Sequence, residues 1–289
     1  MKWPSCSVKI QRLELAGKSQ LHRGASASKL KHLLSANESK YVEKKAYLSQ
    51  LAHASELAFR EADDHLNTEF GSEAEWLRCV QEDFPKFIPF LTKKCGLEFR
   101  GRVLEIGAGA CWFSAELSKL PRVVEVVATD FSPKLLKELA PRVFRLLNAR
   151  VSKITRMPAD FHKLDFPANR FDFVVCSAVL HHAVNMVTVL REARRVLRPN
   201  GQFVAIREPV WPLVKLKSRS ETQRKLIEAG VNEHLYNLEE YREFFEQAGF
   251  KLEAKRVNLS SGFKYYFNSV VNGLTHARYA FVATKRANP

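Results

Sequence analysis

The run Val103-Leu104-Glu105-Ile106-Gly107-Ala108-Gly109-Ala110, followed twenty residues later by Thr129-Asp130, constrains this chain more than any other segment. An apolar run ends in a Gly-x-Gly turn. A helix-prone segment follows, and a second apolar run ends in an acid. That is the layout of a βαβ nucleotide-binding half, in which the glycines let a ligand approach the backbone and the acid can hold a ribose. A dinucleotide fingerprint needs a third glycine three residues on, for close helix–strand packing. Trp112 stands there instead. Glu105, two residues before the turn, is badly placed for a pyrophosphate because it sets negative charge beside negative charge. It suits a ligand with a cationic end.

The surrounding pattern alternates strand and helix, the signature of an α/β fold with a mostly parallel sheet. Strands are predicted at 102–106, 123–129, 152–157, 171–176 and 201–206, with two more at 251–258 and 278–285. Helices are predicted at 111–119, 133–148, 186–197 and 238–249. Ser132-Pro133 is a helix start, with a hydroxyl to cap it and a proline at the first helical position. Residues 41–98 read as helical. Ser72-Glu73-Ala74-Glu75 forms a candidate capping box, and Pro85 and Pro89 limit the continuity of the helix it starts. The organisation expected is a basic extension at 1–40, a helical cover at 41–98 and a core domain at 99–289. That core carries insertions at about 209–237 and 259–277.

Composition narrows the context. The formal net charge is +15, and residues 1–50 hold ten Lys/Arg against three Glu, so the extension is strongly basic. A solvated tail, a mitochondrial transit peptide and an anion- or RNA-binding arm are the three readings of it, and the solvated tail is preferred. No apolar stretch follows Lys2, so a secretory signal is not expected. No apolar run reaches the ~20 residues that span a bilayer. Cys6, Cys79, Cys95, Cys111 and Cys176 include no C-x-x-C pair, which points to reduced thiols in a cytoplasmic setting with neither a disulfide frame nor a zinc site.

Four blocks in order carry a family resemblance: VLEIGAGA (103–110), VVATDFSP (126–133), MPADFHKLDFPANRFDFVVCSAVLHH (157–182) and EARRVLRPNGQFVAI (192–206). Together they resemble the class I S-adenosylmethionine-dependent methyltransferases of the small-molecule, ubiquinone-biosynthesis type. The resemblance covers about 100–208. It implies a Rossmann-like, doubly wound, mostly parallel seven-stranded sheet with an added N-terminal helical segment. The implied cofactor is S-adenosyl-L-methionine. The chain departs from the family at Ala110-Cys111-Trp112, where a small or hydroxylated residue and another glycine are usual.

By that resemblance Asp130 accepts both ribose hydroxyls, with Phe131 beside it. Gly107, Ala108 and Gly109 form the turn, and Glu105 orients the loop or reaches the ammonium group through water. Asp160 meets the adenine amino group, with Phe161 supplying a ring face or a backbone contact. Ser177 flanks the methionine end. The bland alternatives are a helix cap for Asp130 and a surface acid for Asp160. His181 and Glu208 are candidate catalytic groups, as base and as orienter of the acceptor. A satisfied histidine and an ion pair with an arginine are their plainer roles. Trp112, His182, His234, Tyr236, Tyr265 and Tyr266 are candidates for the acceptor pocket, and Trp112 could equally be core. No metal site is expected.

The leading expectation is methyl transfer to a small organic acceptor at O, N or C. The alternatives are an RNA or protein methyltransferase that uses the basic N-terminus, and a catalytically idle interaction subunit. No Asn-Pro-Pro-Tyr-like motif follows the fourth strand, which argues against the nucleic-acid reading.

Overall fold

The computed structural model describes residues 39–42, 52–63, 65–210, 221–228, 231, 233–260 and 279–285. The basic extension up to residue 38, Tyr265 and Tyr266 lie outside the described residues, as does most of the insertion expected at 259–277.

Eight strands form one sheet in the order β1-β4-β3-β2-β5-β6-β8-β7. They are β1 (Lys40–Tyr41), β2 (Gly101–Ile106), β3 (Val123–Asp130), β4 (Ile154–Pro158), β5 (Phe171–Ser177), β6 (Leu197–Glu208), β7 (Phe250–Arg256) and β8 (Tyr279–Lys285). Strands β1 to β6 pair in parallel, and β8 runs antiparallel between β6 and β7. The seven expected strands are all present. The eighth is the short β1, whose Lys40 and Tyr41 pair with Thr155 and Arg156 at the sheet edge. Two residues offer no period to read, so this strand is invisible without its partner.

The central strands are buried on both faces, and the sequence shows it as near-continuous apolar runs. Val103, Leu104 and Ile106 on β2 and Val174, Val175 and Cys176 on β5 are fully buried. One face packs α4 (Trp112–Ser118), α5 (Ala140–Leu146) and the helical run Glu73–Lys94. The other packs α6 (Met186–Val196) and, beyond α7 (Glu221–Glu228) in the chain, α8 (Leu238–Gln247). Phe203 on β6 is fully buried, with its ring 5.6 Å from Phe245 and 6.0 Å from Phe250. Phe203→Ala is therefore expected to cost about 3–5 kcal/mol, through lost burial and a cavity that α8 cannot close. Chemical denaturation would read this as a lower midpoint at unchanged slope.

The prolines act as the sequence implies. The Glu73–Lys94 run starts at α3 (Glu73–Arg78), then widens over Cys79–Asp83, where Phe84 N–H reaches back five residues to the Cys79 carbonyl just ahead of Pro85. Cys95 N–H makes the same long step to Phe90, just after Pro89. A proline has no N–H to give and crowds the preceding turn, so the ladder slips by one residue beside it. The predicted helix at 133–148 shows the same effect. The Ser132 hydroxyl accepts from Leu135 N–H at 3.3 Å, and a wide turn at Leu135–Leu139 precedes Pro141.

The Ser72 cap is half of a capping box. Its hydroxyl accepts from Glu75 N–H at 3.1 Å, while the Glu75 carboxylate turns to Arg78. The complete box is Asn237–Glu240 at the start of α8, where each side chain serves the other's backbone.

Candidate active site

At the carboxyl edge of the parallel strands the chain opens a cleft. This is where ligands bind in open α/β sheets. The β2–α4 turn forms one wall. Gly107 and Gly109 both have left-handed backbone, with φ of 59° and 50°. They need glycine for different reasons. A Cβ on Gly107 would lie 2.6 Å from Val179 Cγ1, so that position is closed by the β5 loop. A Cβ on Gly109 would meet nothing within 4 Å and would enter the cleft.

Asp130 ends β3 at the floor of the cleft and is 4 % exposed. Its Oδ2 accepts from Gly109 N–H at 2.7 Å and its Oδ1 from Ser132 N–H at 2.9 Å. Burial still pushes its pKa up, against those backbone donors and the nearby Arg60. Phe131 N–H is a third backbone donor to this carboxylate. A carboxylate accepts about four hydrogen bonds, so a ligand hydroxyl can still reach it.

Gly107, Ala108, Gly109, Asp130, Phe131, Phe161, Ser177, Trp112 and His182 line one continuous surface. Trp112 is also core: its ring stacks on Phe113 at 5.1 Å and tilts against Phe84 at 4.9 Å. Glu105 sits behind this wall. It is 1 % exposed, and its Oε2 accepts from Ser114 N–H at 2.8 Å and from the Ser114 hydroxyl. Its place is that of a loop anchor across β2 and α4. Burial raises its pKa to about 8, against the Ser114 donors and with Asp130 adding repulsion. Asp160 is also set back from the cleft surface, and its Oδ1 accepts from the His162 backbone at 2.8 Å and faces His162 Nδ1 at 2.9 Å.

His181 and Glu208, the candidate catalytic groups, meet each other. His181 Nδ1 lies 2.9 Å from Glu208 Oε2, while Glu208 Oε1 accepts from the backbone of Val179 and Leu180. Glu208 thus pairs with a histidine and a backbone turn where an arginine was the simpler expectation. Burial opposes charge on His181, yet the Glu208 hydrogen bond and the charges of Glu208, Glu233 and Glu56 outweigh it and raise its pKa. Neither side chain reaches the cleft surface; His182 does. His234 and Tyr236 stack on each other at 5.5 Å, and Tyr236 packs on Tyr241 and Phe244, off the cleft.

Sequence reading missed the far wall. Glu56 and Arg60 on α1 (Ala52–Glu61), His65 and Glu69 on α2 (His65–Phe70), and Arg207 all line the cleft. The i,i+4 spacing of Glu56 and Arg60 was the available signal, since it puts both on one helix face. Arg60 lies 2.5 Å from Glu69 and 3.9 Å from Glu56. Burial raises the Glu56 pKa to about 7 against the pull of Arg60. Arg207 owes its position to a β-bulge, where register shifts between Ala205 and Glu208 and Arg207 takes φ of 63°. The extra residue re-aims its side chain into the cleft and leaves Glu208 inside. Ala178 on the cleft wall and Cys111, between two lining residues, also have φ near 60°. Non-glycine residues held in this region cost about 1–3 kcal/mol each and gather at ligand sites.

Residues 104–205 match the family described as a methyltransferase domain. The chain is 31% identical over 129 residues to the ubiquinone/menaquinone biosynthesis C-methyltransferase UbiE of Citrifermentans bemidjiense, covering 44% of this chain and 54% of that protein. It is 34% identical over 100 residues to the malonyl-[acyl-carrier protein] O-methyltransferase of Halorhodospira halophila, covering 35% of this chain and 32% of that protein. Residues 104–205 thus resemble S-adenosylmethionine-dependent methyltransferase domains. The match therefore spans about a third to a half of these curated relatives' length. Among solved structures, phosphoethanolamine N-methyltransferase 2 of Haemonchus contortus, in complex with S-adenosyl-L-methionine, shares the fold. Its TM-score is 0.59 at 16% identity, over 80% of this chain and 60% of that one. The cofactor of this domain class is S-adenosylmethionine. Buried Asp130 with acceptor capacity to spare and the open cradle at Gly109 fit it.

That cradle gives a test which separates folding from binding. Gly109→Ala places a methyl group in open space, so its folding cost is limited to the left-handed backbone, about 1 kcal/mol. Its binding cost is expected to be larger, a drop of at least about tenfold in S-adenosylhomocysteine affinity, since one methyl in a filled site is worth ~1–3 kcal/mol. Calorimetry beside a melting curve reads both.

Proposed function

We propose that this protein transfers the methyl group of S-adenosylmethionine to a small organic acceptor at O, N or C. The observation that carries the proposal is Asp130, a buried acid at the end of β3 on the cleft floor with acceptor capacity to spare. Asp130 accepts the ribose hydroxyls, Phe131 and Phe161 flank the adenosine, and the Gly107–Gly109 turn admits the backbone contacts. Ser177 and Trp112 border the methionine end. When bound, the cofactor supplies a methyl group made electrophilic by its sulfonium. The acceptor's electron pair would form the new bond to the methyl carbon as the carbon–sulfur pair returns to sulfur, and the acceptor's proton, where it carries one, would pass to water.

Positioning and water exclusion are the protein's main contributions to such a displacement. The Glu208–His181 pair supports both by holding the turn after β5 against the cleft. The helices α1 and α2 wall the other side, which favours a small acceptor over a polymer. Relatives named for a quinone C-methylation and for an acyl-carrier O-methylation lend support to that class. The test is release of S-adenosylhomocysteine by the purified chain. Turnover with a small-molecule panel of phenols, carboxylic acids and amines supports the reading. Turnover with an RNA pool alone replaces it.

A further inference from the structure

Behind the acceptor wall of the cleft, three chain segments bring together a set of side chains that methyl transfer itself does not require. His181 and His182 stand on the tight turn Leu180–His182 after β5, with ring centroids 4.0 Å apart. Glu233 comes from the segment ahead of α8. His234 N–H donates to the His181 carbonyl at 3.0 Å, which ties that segment to the histidine turn. Glu233 Oε1 lies 3.8 Å from His181 Nε2 and 4.0 Å from His182 Nδ1. One ligand atom from each of the three lies within 4.8 Å of the others. Their side chains are only 7 %, 9 % and 7 % exposed.

We propose that His181, His182 and Glu233 form a binding site for a divalent transition metal ion. The spacing suits one. Zinc–ligand bonds of ~2.0–2.2 Å in tetrahedral geometry place ligand atoms about 3.3–3.6 Å apart. The two separations to Glu233, 3.8 and 4.0 Å, exceed that by a few tenths of an ångström, and all three ligand atoms lie within 4.8 Å of one another, so side-chain rotations must draw the set together. The donor chemistry suits it as well. Two imidazoles and one carboxylate with an open position are a ligand set for zinc or ferrous iron, not for magnesium or calcium, which take oxygen donors.

The support behind the ligands is already built. His181 Nδ1 faces the Glu208 carboxylate at 2.9 Å, which leaves Nε2, on the Glu233 side, as the atom that would ligate a metal. A carboxylate behind a ligating histidine fixes the ring and strengthens it as a ligand. Glu208 is held in turn by two backbone N–H groups. Charge is also in deficit. Three carboxylates, Glu56, Glu208 and Glu233, face the imidazole pair, and the nearby guanidinium of Arg60 is engaged by Glu69. Arg60 Nη2 lies 3.4 Å from His182 Nε2, and Glu56 Oε1 lies 3.4 Å from His182 Nδ1. His182 and Glu56 both line the cleft, so an ion held here would border it. Its role there, orienting and acidifying an acceptor oxygen or nitrogen, rests on the methyl-transfer reading. The site itself does not.

The test uses the full chain stripped with a chelator and titrated with Zn²⁺ against a chromogenic competitor. One equivalent is expected to bind, with affinity falling at least about tenfold in Glu233→Gln and further in His182→Gln. Equal zinc affinity in wild type and both variants overturns the site. Co²⁺ absorption of the wild type covers the case in which a variant fails to fold. A four-coordinate spectrum without thiolate charge transfer supports the site, and a thiolate band places the metal on cysteines and overturns it. S-adenosylhomocysteine calorimetry on the metal-free chain separates the two readings. Binding of the nucleoside without any zinc site removes the metal and leaves methyl transfer standing. A zinc site without nucleoside binding does the reverse.

Discussion

Asp130→Ala is expected to weaken S-adenosylhomocysteine binding by at least about 100-fold, the largest effect of any single change in the cleft. Hydrogen bonds to a charged group are worth ~1.5–3 kcal/mol each, and a ribose offers two hydroxyls to this carboxylate. Stability should move little, because two changes oppose. Gly109 and Ser132 lose their acceptor, and a buried acid held above its usual pKa is removed. Asp130→Asn keeps an acceptor and the shape but not the charge, so its loss of affinity should be smaller. Calorimetry with S-adenosylhomocysteine checks the series. Unchanged affinity in Asp130→Ala would remove the cofactor assignment and the function with it.

The second large effect is on stability against pH, through Glu105. Its folded pKa is raised to about 8 from 4.5, first by burial, with Asp130 adding repulsion. Between those values the folded state holds a proton that the unfolded state has released, so stability falls as pH rises across that window. Below it the contribution is fully present, and above about 8 it is lost. At ~1.4 kcal/mol for each pH unit, the change amounts to several kcal/mol. Glu105→Gln keeps an acceptor for the Ser114 N–H and hydroxyl and cannot ionise. It is expected to leave stability near pH 5 within about 1 kcal/mol of wild type and to exceed wild type at pH 8. Denaturant melts at the two pH values decide this. A variant whose stability falls as steeply as wild type would show that Glu105 carries no such burden.

Much of this site was legible because its signals are local. The Gly-x-Gly turn and the acid ending β3 lie within one βαβ unit, so chain connectivity alone brings Gly109 and Asp130 within hydrogen-bond distance. The prolines at 85, 89 and 141 announce their slipped turns for the same reason. Glu105 was harder. Sequence puts it beside the turn, but strand alternation aims it away from the cleft toward Ser114, and only the packing of α4 shows that. Arg207 and Glu208 are neighbours, yet one enters the cleft and the other is sealed behind it, because the bulge between Ala205 and Glu208 turns Arg207 out of the strand.

The parallel αβ core, the cofactor-side turn and the acid that completes it are written in the sequence, since each is a short-range pattern of apolar runs, glycines and strand-end acids. The acceptor wall is not; it exists only once the chain has packed. The i,i+4 pair Glu56 and Arg60, His182, Arg207 and, behind the wall, Glu233 come from segments scattered along the chain, and no spacing relates one segment to another. They meet because the helices ahead of β2 and the segment before α8 must bury their apolar faces at the same edge of the sheet.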